Sequence, residues 1–533
     1  MQADELHDYN RWVFGDVLAR QAKRYGERTW IRMVAGDSVS FGAAHRIANQ
    51  VGRYLLDLDV SRGDTVAVMI PNSLEHCFAW FGISRIGAIH VAVNTDYKGA
   101  FLRHVLNNSK STHIIIHTRF LDRLEDLQAE LPHLKYVVPV GGDSVAPYLA
   151  RRYCVRQFES FKQYSDDAVD IPVSYRDPAC VMYTSGTTGP SKGVIMPHAH
   201  VYLFGLGTIE NMQLTKADSF YIVLPLFHAN AMFMQLYATL IVGADAVVRE
   251  RFSASRWIHD VANYGITITN SLGVVVSFVL HQEPTPLDKQ HRLRAIGVAP
   301  NLPELDSQLR SRFNIRDVYG LYGMTEVNIP LYTRSGDVRP GSCGRLWNRY
   351  YELQIVDPET DLPVATDELG EIVIRPKLPF GFMAGYLNMP EKTVEAWRNF
   401  WFHTGDAATM DEDGYVYFSD RIKDCIRRRG ENISSFEVEQ VIGAHSAVAE
   451  VSAIAVKSEI TGGEDEVKVV VVFNQEPVVE DLHTYCKQHL PRFAVPRYVE
   501  IADSLPKTPT GKVQKARLRE LGLTPGTVDW GND

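Results

Sequence analysis

One segment of the sequence, residues 183–193, combines small hydroxyl side chains, three glycines and a single lysine after a run of apolar residues. Glycine lets backbone N–H groups approach an oxyanion, hydroxyls add donors, and lysine supplies positive charge, so this composition indicates phosphate binding. The spacing is not that of a Walker A loop, because Pro190 and Ser191 precede the lysine. A flexible turn without a ligand is the alternative for this segment taken alone. The residues expected to contact phosphate are Thr184, Ser185, Gly186, Thr187, Thr188, Gly189 and Lys192.

Six further short motifs that could bind or act on a nucleotide follow this loop. They are Pro-Leu-Phe-His at 225–228, Tyr-Gly-Met-Thr-Glu at 322–326, Phe-His-Thr-Gly-Asp at 402–406, Asp-Arg-Ile-Lys-Asp at 420–424, Gly-Glu-Asn-Ile at 430–433 and Pro-Lys-Thr-Pro-Thr-Gly-Lys at 506–512. In this order, the loop and the motifs resemble the adenylate-forming superfamily, which contains acyl-CoA ligases, beetle luciferases and the adenylation domains of peptide synthetases. The resemblance implies an enzyme that uses ATP and Mg²⁺ to convert a carboxylic acid to an acyl-adenylate, and then transfers the acyl group to coenzyme A.

The resemblance also assigns the nucleotide contacts. It implies that Tyr322 stacks on adenine, that Thr325 contacts phosphate and that Glu326 helps to hold Mg²⁺, a cation that prefers oxygen ligands. Asp406 matches the residue that accepts hydrogen bonds from the ribose hydroxyls, with Arg421 assisting. Without the resemblance, Tyr322 and Glu326 would be interpreted as core and surface residues, and Asp406 as a turn residue.

A lysine near the end of the chain, Lys512, matches the position that supplies charge in the first half-reaction. A carboxylate and ATP are both anionic, so a cation is needed where the carboxylate oxygen meets the α-phosphate. The resemblance implies that Lys512 delivers this ammonium group, whereas a lysine so near a terminus is usually solvated. His228 is expected in the catalytic site of a CoA ligase, at a position where amino-acid-activating relatives usually have Asp.

In the family, the second half-reaction requires a rotation of the C-terminal lobe, because the CoA thiol approaches from the side that the catalytic lysine occupies. Lys423 matches the hinge, and Gly430, Glu431 and Asn432 match the loop that moves beside the pantetheine arm. A surface charge is the alternative for Lys423. Arg429 replaces a glycine found in many relatives, so an enzyme specialised in one half-reaction stays an alternative.

The acyl group is expected to lie among small and aliphatic side chains at 228–232, 271–275, 297–299 and 327–331. The candidate pocket residues are Gly273, Gly297 and Ala299, and they predict a roomy, mostly apolar pocket for a bulky acid. The tracts at 290–294 and 421–432 most resemble the crotonobetaine and carnitine CoA ligases. The sequence offers no evident carboxylate partner for a trimethylammonium group, and activation of an amino acid or an aryl acid stays an alternative.

Alternating strand and helix patterns must position these residues. Short β-rich runs at 65–70, 112–116, 136–140, 220–224 and 266–269 alternate with helical segments such as 255–264, which predicts an α/β fold. From about residue 421 the pattern changes to strands at 448–456 and 467–473 and a helix at 480–489. We therefore expect a large, multi-layered N-terminal domain at 1–421, built from α/β subdomains, and a small mobile α+β C-terminal domain at 422–533 that carries the catalytic lysine.

The composition bounds the partners and the location of the protein. The chain has 55 Lys and Arg against 64 Asp and Glu, a net charge of −9, so no overall positive field favours nucleic acid or an anionic membrane. Six scattered cysteines argue against a disulfide framework or a zinc site. No apolar run reaches the roughly 20 residues that span a bilayer, and no signal peptide is evident. We expect a cytoplasmic enzyme whose partners are a carboxylic acid, ATP and CoA, with a homodimer as one oligomeric state left open.

Overall fold

A computed structural model describes residues 3–142, 147–184, 191–299, 301–422, 424, 426–428, 431–457, 465–474, 476, 479–490, 494–508 and 511–531, and within them the strands form five sheets. The strands of the largest sheet are, in chain order, β1 Thr29–Met33, β2 Ser38–Ser40, β10 Ser219–Ile222, β11 Asp245–Val248, β12 Ile268–Leu272, β13 Ala295–Ala299, β14 Asp317–Met324, β15 Asn328–Tyr332 and β16 Arg345–Leu346. Their order in space is β16-β15-β14-β13-β12-β10-β11-β1-β2. The run from β14 to β1 is parallel throughout, so its carboxyl ends meet at one edge of the sheet.

The second large sheet comprises β3 Thr65–Met69, β4 Ile89–Ala92, β5 His113–His117, β6 Tyr136–Val140, β7 Cys154–Val155, β8 Pro178–Thr184, β9 Lys192–Pro197 and β19 Gly385–Tyr386. Their spatial order is β19-β9-β8-β4-β3-β5-β6-β7. Ile114, Ile115 and Ile116 of β5 are all fully buried, and β5 lies between two parallel neighbours. A continuous apolar run of this kind is typical of a parallel strand that is covered on both faces.

Helices cover these two sheets. Helix α10, Ala254–Asn263, shows the reason. Its buried stripe consists of Trp257, Ile258 and Val261, which lie at helical spacing. The helices of this part are α1 Ala3–Leu6, α2 Phe14–Tyr25, α3 Phe41–Asp57, α4 Leu74–Arg85, α5 Gly99–Ser109, α6 Asp122–Glu125, α7 Pro147–Arg152, α8 His198–Met212, a π-helix at Asn230–Tyr237, α9 Ala238–Val242, α10 Ala254–Asn263, α11 Gly273–Leu280, α12 Pro303–Phe313 and α13 Pro390–Ala396. In these described segments, no helix is both long and apolar enough to cross a bilayer.

The rest of the chain forms smaller sheets. A four-stranded sheet contains β17 Tyr351–Val356, β18 Gly370–Pro376, β20 Phe402–Met410 and β21 Val416–Arg421, and the hairpin of β22 Ile426–Arg428 and β23 Glu431–Ile433 follows it. The last sheet contains β24 Val448–Lys457, β25 Asp465–Phe473, β26 Tyr498–Ile501 and β27 Thr527–Asp529. The helices of this last part are α14 Ser435–Gly443, α15 Val479–His489 and α16 Lys515–Leu521.

Two clusters of buried apolar side chains draw only on residues after β21, including Ile426 and Val469 in one and Leu505 in the other. The end of β21 contacts this lobe through Asp420, whose Oδ2 accepts hydrogen bonds from Ser435 Oγ and from the Phe436 N–H at 3.2 Å. The predicted α/β class with a small C-terminal α+β unit is confirmed. The exact domain boundary at 421/422 stays a prediction.

Part of the tract at 290–294 has a structural role. Arg294 donates to Asp218 with Nε to Oδ1 at 3.0 Å and Nη2 to Oδ2 at 2.9 Å, next to β10 and β13. Thr215 and Thr267 also donate to this carboxylate. Burial would raise the pKa of Asp218, but these hydrogen bonds and the Arg294 charge outweigh it and lower the pKa. The pair joins the starts of β10 and β13, two parallel strands that flank β12.

Replacing Asp218 with Asn should destabilise the N-terminal part by about 3 kcal/mol, because a half-buried guanidinium then loses its anionic partner. A carboxyl group with a lowered pKa stabilises the fold above its unfolded pKa of about 3.9 and loses that effect as the pH falls through the folded pKa. We expect a lower melting temperature for Asp218→Asn at pH 7 and a difference from wild type that shrinks below about pH 4. An equal difference at both pH values would contradict this account.

Candidate functional site

Four parallel strands of the largest sheet end beside motifs that the sequence analysis selected. Strand β10 leads into 225–228, β12 leads into Gly273, β13 ends at Ala299, and β14 contains Tyr322 and leads into Glu326. Parallel strands place their carboxyl ends at one edge, and ligands of open α/β sheets bind at such edges. The fold therefore brings together residues that lie up to about 100 positions apart in the sequence.

Asp406 of β20 lies against this edge with a side chain that is buried, at 3% exposure. Tyr322 Oη donates to Asp406 Oδ2 at 2.6 Å, and Arg421 Nε forms an ion pair with Oδ1 at 2.7 Å. Burial raises the pKa of Asp406 and outweighs Arg421 and Tyr322, which lower it. In the described part of the chain, no donor meets Oδ1 with the geometry of a hydrogen bond. Arg421 is therefore the partner of this oxygen through its charge rather than through an aligned hydrogen bond.

The backbone around Tyr322 is fixed by a close approach. A Cβ atom on Gly323 would lie 2.2 Å from the carbonyl oxygen of Asn328, on the adjacent strand β15. Only glycine fits there, which explains its place in the Tyr-Gly-Met-Thr-Glu motif. The tyrosine ring is buried and stacks on Phe418 of β21, with 6.3 Å between ring centroids.

A second cluster joins Glu326, Tyr386 and Lys192. Glu326 is buried, at 4% exposure, and its Oε1 accepts a hydrogen bond from Tyr386 Oη at 3.0 Å. Lys192 Nζ lies 4.2 Å from the centroid of the Tyr386 ring, a cation–π contact. Burial lowers the pKa of Lys192, and Glu326 opposes this effect. Tyr386 thus connects the acidic motif after β14 with the lysine that begins β9 in the other sheet.

Lys512 reaches the same site from the C-terminal lobe. Burial, and after it the positive charge of Arg421, lower the pKa of Lys512, whereas Asp406 and Glu326 raise it. Burial, and after it the Lys512 charge, lower the pKa of His228 to about 4, so this imidazole is neutral at pH 7. Asp406, Glu326 and Arg421 thus shift the pKa of Lys512, and Lys512 in turn shifts the pKa of His228. The lobe therefore brings the Lys512 charge within electrostatic range of Asp406 and Glu326.

Other residues that the sequence predicted for the site make contacts with the backbone. Thr184 ends β8 opposite Lys192, and its Oγ1 donates to the carbonyl of Lys192 at 3.4 Å. The Thr325 carbonyl accepts a hydrogen bond from His200 Nε2 at 2.9 Å. Gly297 of β13 is paired with Asn270 of β12.

Several predicted residues cannot be placed. Ser185, Gly186, Thr187, Thr188 and Gly189 of the phosphate loop, together with the hinge residue Lys423 and with Gly430, lie outside the described residues. Glu431 and Asn432 pair through their backbone with Arg428 and Arg427 in the β22–β23 hairpin.

Sequence reasoning missed Tyr386 and His200. Tyr386 belongs to a two-residue strand, Gly385–Tyr386, whose spacing carries no signal. His200 lies on α8 and is buried, with Nε2 2.9 Å from the Thr325 carbonyl and Nδ1 3.1 Å from the Gly381 carbonyl. Because a neutral imidazole carries one N–H, it donates to one of these carbonyls. Its burial lowers its pKa to about 4. A histidine in an apolar helix is usually a core residue, so nothing marked it as a support for the site.

Replacing Lys512 with Met should raise the pKa of His228, because the variant removes a nearby positive charge from a buried imidazole. Burial is the larger cause, so the pKa should stay below the ordinary value of about 6.5. Histidine NMR titration measures this pKa, with His228→Gln used to assign the signal. Lys507→Met, which removes an exposed lysine paired with Glu450 in the same lobe, is the control and should leave the His228 signal unchanged. An unchanged His228 pKa in Lys512→Met would contradict the placement of the lysine.

Comparison with known proteins gives consistent relatives. A family model described as AMP-binding enzyme matches residues 18–387, and one described as AMP-binding enzyme C-terminal domain matches residues 437–512. A crotonobetaine/carnitine–CoA ligase of Salmonella arizonae is 30% identical over 90% of this chain and 93% of its own length. This similarity confirms the predicted resemblance to that branch.

Solved structures agree with this result. An anthranilate CoA ligase in complex with anthranoyl-AMP superposes with a TM-score of 0.85 at 25% identity, covering 98% of both chains. O-succinylbenzoate coenzyme A synthetase from Bacillus subtilis, in complex with AMP, shares the fold with a TM-score of 0.77 at 23% identity, covering 94% of this chain and 98% of its own. From the family models, the relative over most of its length and the shared fold, the chain belongs to the AMP-binding enzyme family.

Proposed function

We propose that this protein is an ATP-dependent acyl-CoA ligase that forms an acyl-adenylate and then an acyl-CoA thioester. The observation that carries the proposal is the group of hydrogen-bonded and charged side chains around Asp406 and Glu326 at one sheet edge. The charge of Lys512, on the C-terminal lobe, lies within electrostatic range of both carboxylates. A cation supplied by a separate lobe at a nucleotide site is what the joining of two anions requires. ATP, Mg²⁺ and CoA are the nucleotide, the metal and the thiol of the family reaction.

The site residues suit a nucleotide and its metal. Asp406 would accept from the ribose hydroxyls, and Tyr322 and Arg421 hold that carboxylate in place. Lys192 and the phosphate loop that precedes it would hold the phosphates. Glu326 is a buried carboxylate suited to Mg²⁺, which is commonly bound by one or two carboxylates and by substrate phosphates. When bound, Mg²⁺ neutralises charge on the triphosphate.

In the first half-reaction, a carboxylate oxygen attacks the α-phosphorus of ATP. The bond from that phosphorus to the bridging oxygen breaks, and pyrophosphate leaves with the electron pair. Lys512 stabilises the negative charge that the carboxylate and the α-phosphate bring together. The neutral imidazole of His228 lies beside the lysine without adding a competing positive charge.

In the second half-reaction, the CoA sulfur bonds to the acyl carbon, AMP leaves with the electrons of the broken C–O bond, and the thiol proton passes to solvent. Lys512 must move away to admit the thiol. We assign the hinge to Lys423 and the CoA-side loop to Gly430, Glu431 and Asn432, with the two domains at 1–421 and 422–533. The hydrogen bonds from α14 to Asp420 hold the present orientation next to that hinge.

The acid is not fixed by family membership. The relatives are named for crotonobetaine and carnitine, for anthranilate and for O-succinylbenzoate, which are chemically different acids. Gly273, Gly297 and Ala299 are our candidates for the acyl pocket. A cytoplasmic location and a homodimer are further proposals, and they rest on composition alone.

Lys512→Ala should lower acid-dependent pyrophosphate release by a factor on the order of 10² to 10³, as for loss of one preorganised charge contact. Transfer of a supplied acyl-adenylate to CoA should be retained, because the thiol step does not use this lysine. Both products can be measured separately by pyrophosphate release and by thioester formation. Equal loss of both half-reactions would contradict the assignment, and pyrophosphate release without any thioester in wild type would favour an enzyme specialised in adenylation.

Tyr386→Phe removes the hydroxyl that donates to Glu326 but keeps the ring next to Lys192. We expect a roughly tenfold loss in the rate of pyrophosphate formation and a higher Mg²⁺ requirement, since a hydrogen bond to a charged group is worth about 1.5–3 kcal/mol. The matched control is Tyr332→Phe, which removes a hydroxyl donating to Glu210 at 3.2 Å and should leave the Mg²⁺ dependence unchanged. An identical Mg²⁺ dependence in Tyr386→Phe and wild type would exclude this positioning role.

A further inference from the structure

Three carboxamide side chains form a hydrogen-bonded cluster at the start of the π-helix that follows His228. A π-helix brings residues five apart onto the same side, and such segments are frequent at functional sites. Asn230 and Gln235 have this spacing, and Gln235 Nε2 donates to Asn230 Oδ1 at 2.8 Å. Asn270 Nδ2 of β12 lies 3.5 Å from the same oxygen. One carboxamide oxygen thus accepts from two neighbours.

The cluster leaves two buried acceptors without a donor. Gln235 is fully buried and Asn270 is 1% exposed. Among the residues whose positions are described, nothing donates to Gln235 Oε1 or to Asn270 Oδ1. An unsatisfied buried acceptor costs about 1–3 kcal/mol, so two of them in one cluster call for a partner.

The free oxygen of Asn270 lies over Gly297, a predicted pocket residue. A Cβ atom on Gly297 would lie 2.3 Å from Asn270 Oδ1, so glycine is required for the amide to keep this position. The Asn270 amide thus occupies the space that a side chain at 297 would fill, within the predicted acyl region.

The cluster also has a defined position along the substrate. The carboxylate of the acid must lie near Lys512 and His228, where adenylation occurs under the proposed function. Asn230 is only two residues beyond His228 and is partly exposed, whereas Asn270 and Gln235 lie deeper. Its closeness to His228 in the sequence assigns the cluster to the carboxylate end of the acid.

We infer that the acid carries an uncharged hydrogen-bond donor, a hydroxyl or a neutral amino group, a few atoms from its carboxylate, and that Asn270, Gln235 and Asn230 select for it. This inference rests on the proposed function. Carboxamides supply no negative charge, so they suit a neutral donor rather than an ammonium group. Sites built to hydrogen-bond a substrate group reject the analogue that lacks it far more strongly than apolar pockets reject a missing methylene.

The test compares kcat/KM for acids that differ only in this donor, with pyrophosphate release as the readout. One series is butanoate and 3-hydroxybutanoate, and the other is benzoate, 2-hydroxybenzoate and 2-aminobenzoate. We expect wild type to prefer the donor-bearing acid by tenfold or more in at least one series, and the last series separates hydroxyl from amino donors. Asn270→Leu should reduce that preference to less than about threefold and raise the rate with the unsubstituted acid.

Matched variants keep the result interpretable. Gln157→Leu removes another carboxamide with an unpartnered Oε1, just after β7 in the other large sheet, and should retain the wild-type preference. Gln235→Met serves in the same assay where Asn270→Leu does not fold. A wild-type enzyme that activates the unsubstituted acids equally well, or an Asn270→Leu or Gln235→Met enzyme that keeps the preference, overturns the inference while the proposed function stands. If no acid of either series releases pyrophosphate, this inference fails, whereas the proposed function fails only if no carboxylic acid of a wider panel, including bulky acids, releases pyrophosphate.

Discussion

The proposed chemistry depends on one electrostatic interaction, that of the Lys512 charge with the buried carboxylates Glu326 and Asp406 and with the cation Arg421. Burial and Arg421 both make the charged form of Lys512 less favourable, and only the two carboxylates oppose them. An anionic ligand at this position would relieve the repulsion between the two cations. The lobe orientation and the binding of a polyanion are therefore coupled, because each stabilises the other.

The scaffold makes this interaction specific. Parallel strands bring His228, Tyr322 and Glu326 to one edge of the largest sheet, while Asp406 is supplied by a different sheet. The Tyr386 hydroxyl connects Glu326 to the sheet that carries Lys192, so three sheets converge on one site. Such supports matter because small displacements of groups that position substrates cost large factors in rate. Under the proposed function, the C-terminal lobe is the part that moves.

The sequence predicted the parts of the structure that depend on local pattern. The buried run at Ile114–Ile116, the helix at Ala254–Asn263 and the strands of the C-terminal lobe agree with hydrophobic periodicity to within about two residues. Motif residues such as Asp406 and Lys512 were recognisable because their neighbours are distinctive. Tyr386 and the Asn270 cluster were not, since their importance arises from contacts between strands that are far apart in sequence. A π-helix and a glycine on another strand orient the amides of this cluster, and neither effect is visible in composition.

A crystal structure of the protein with a non-hydrolysable acyl-adenylate analogue is the most direct test of the central claim. The account predicts that Lys512 Nζ lies within about 3 Å of the oxygens that link the acyl group to the phosphate, while the ribose hydroxyls donate to Asp406. An analogue that lies away from Tyr322 and Asp406, or a site in which Lys512 points into solvent with the ligand bound in the present lobe orientation, would contradict it.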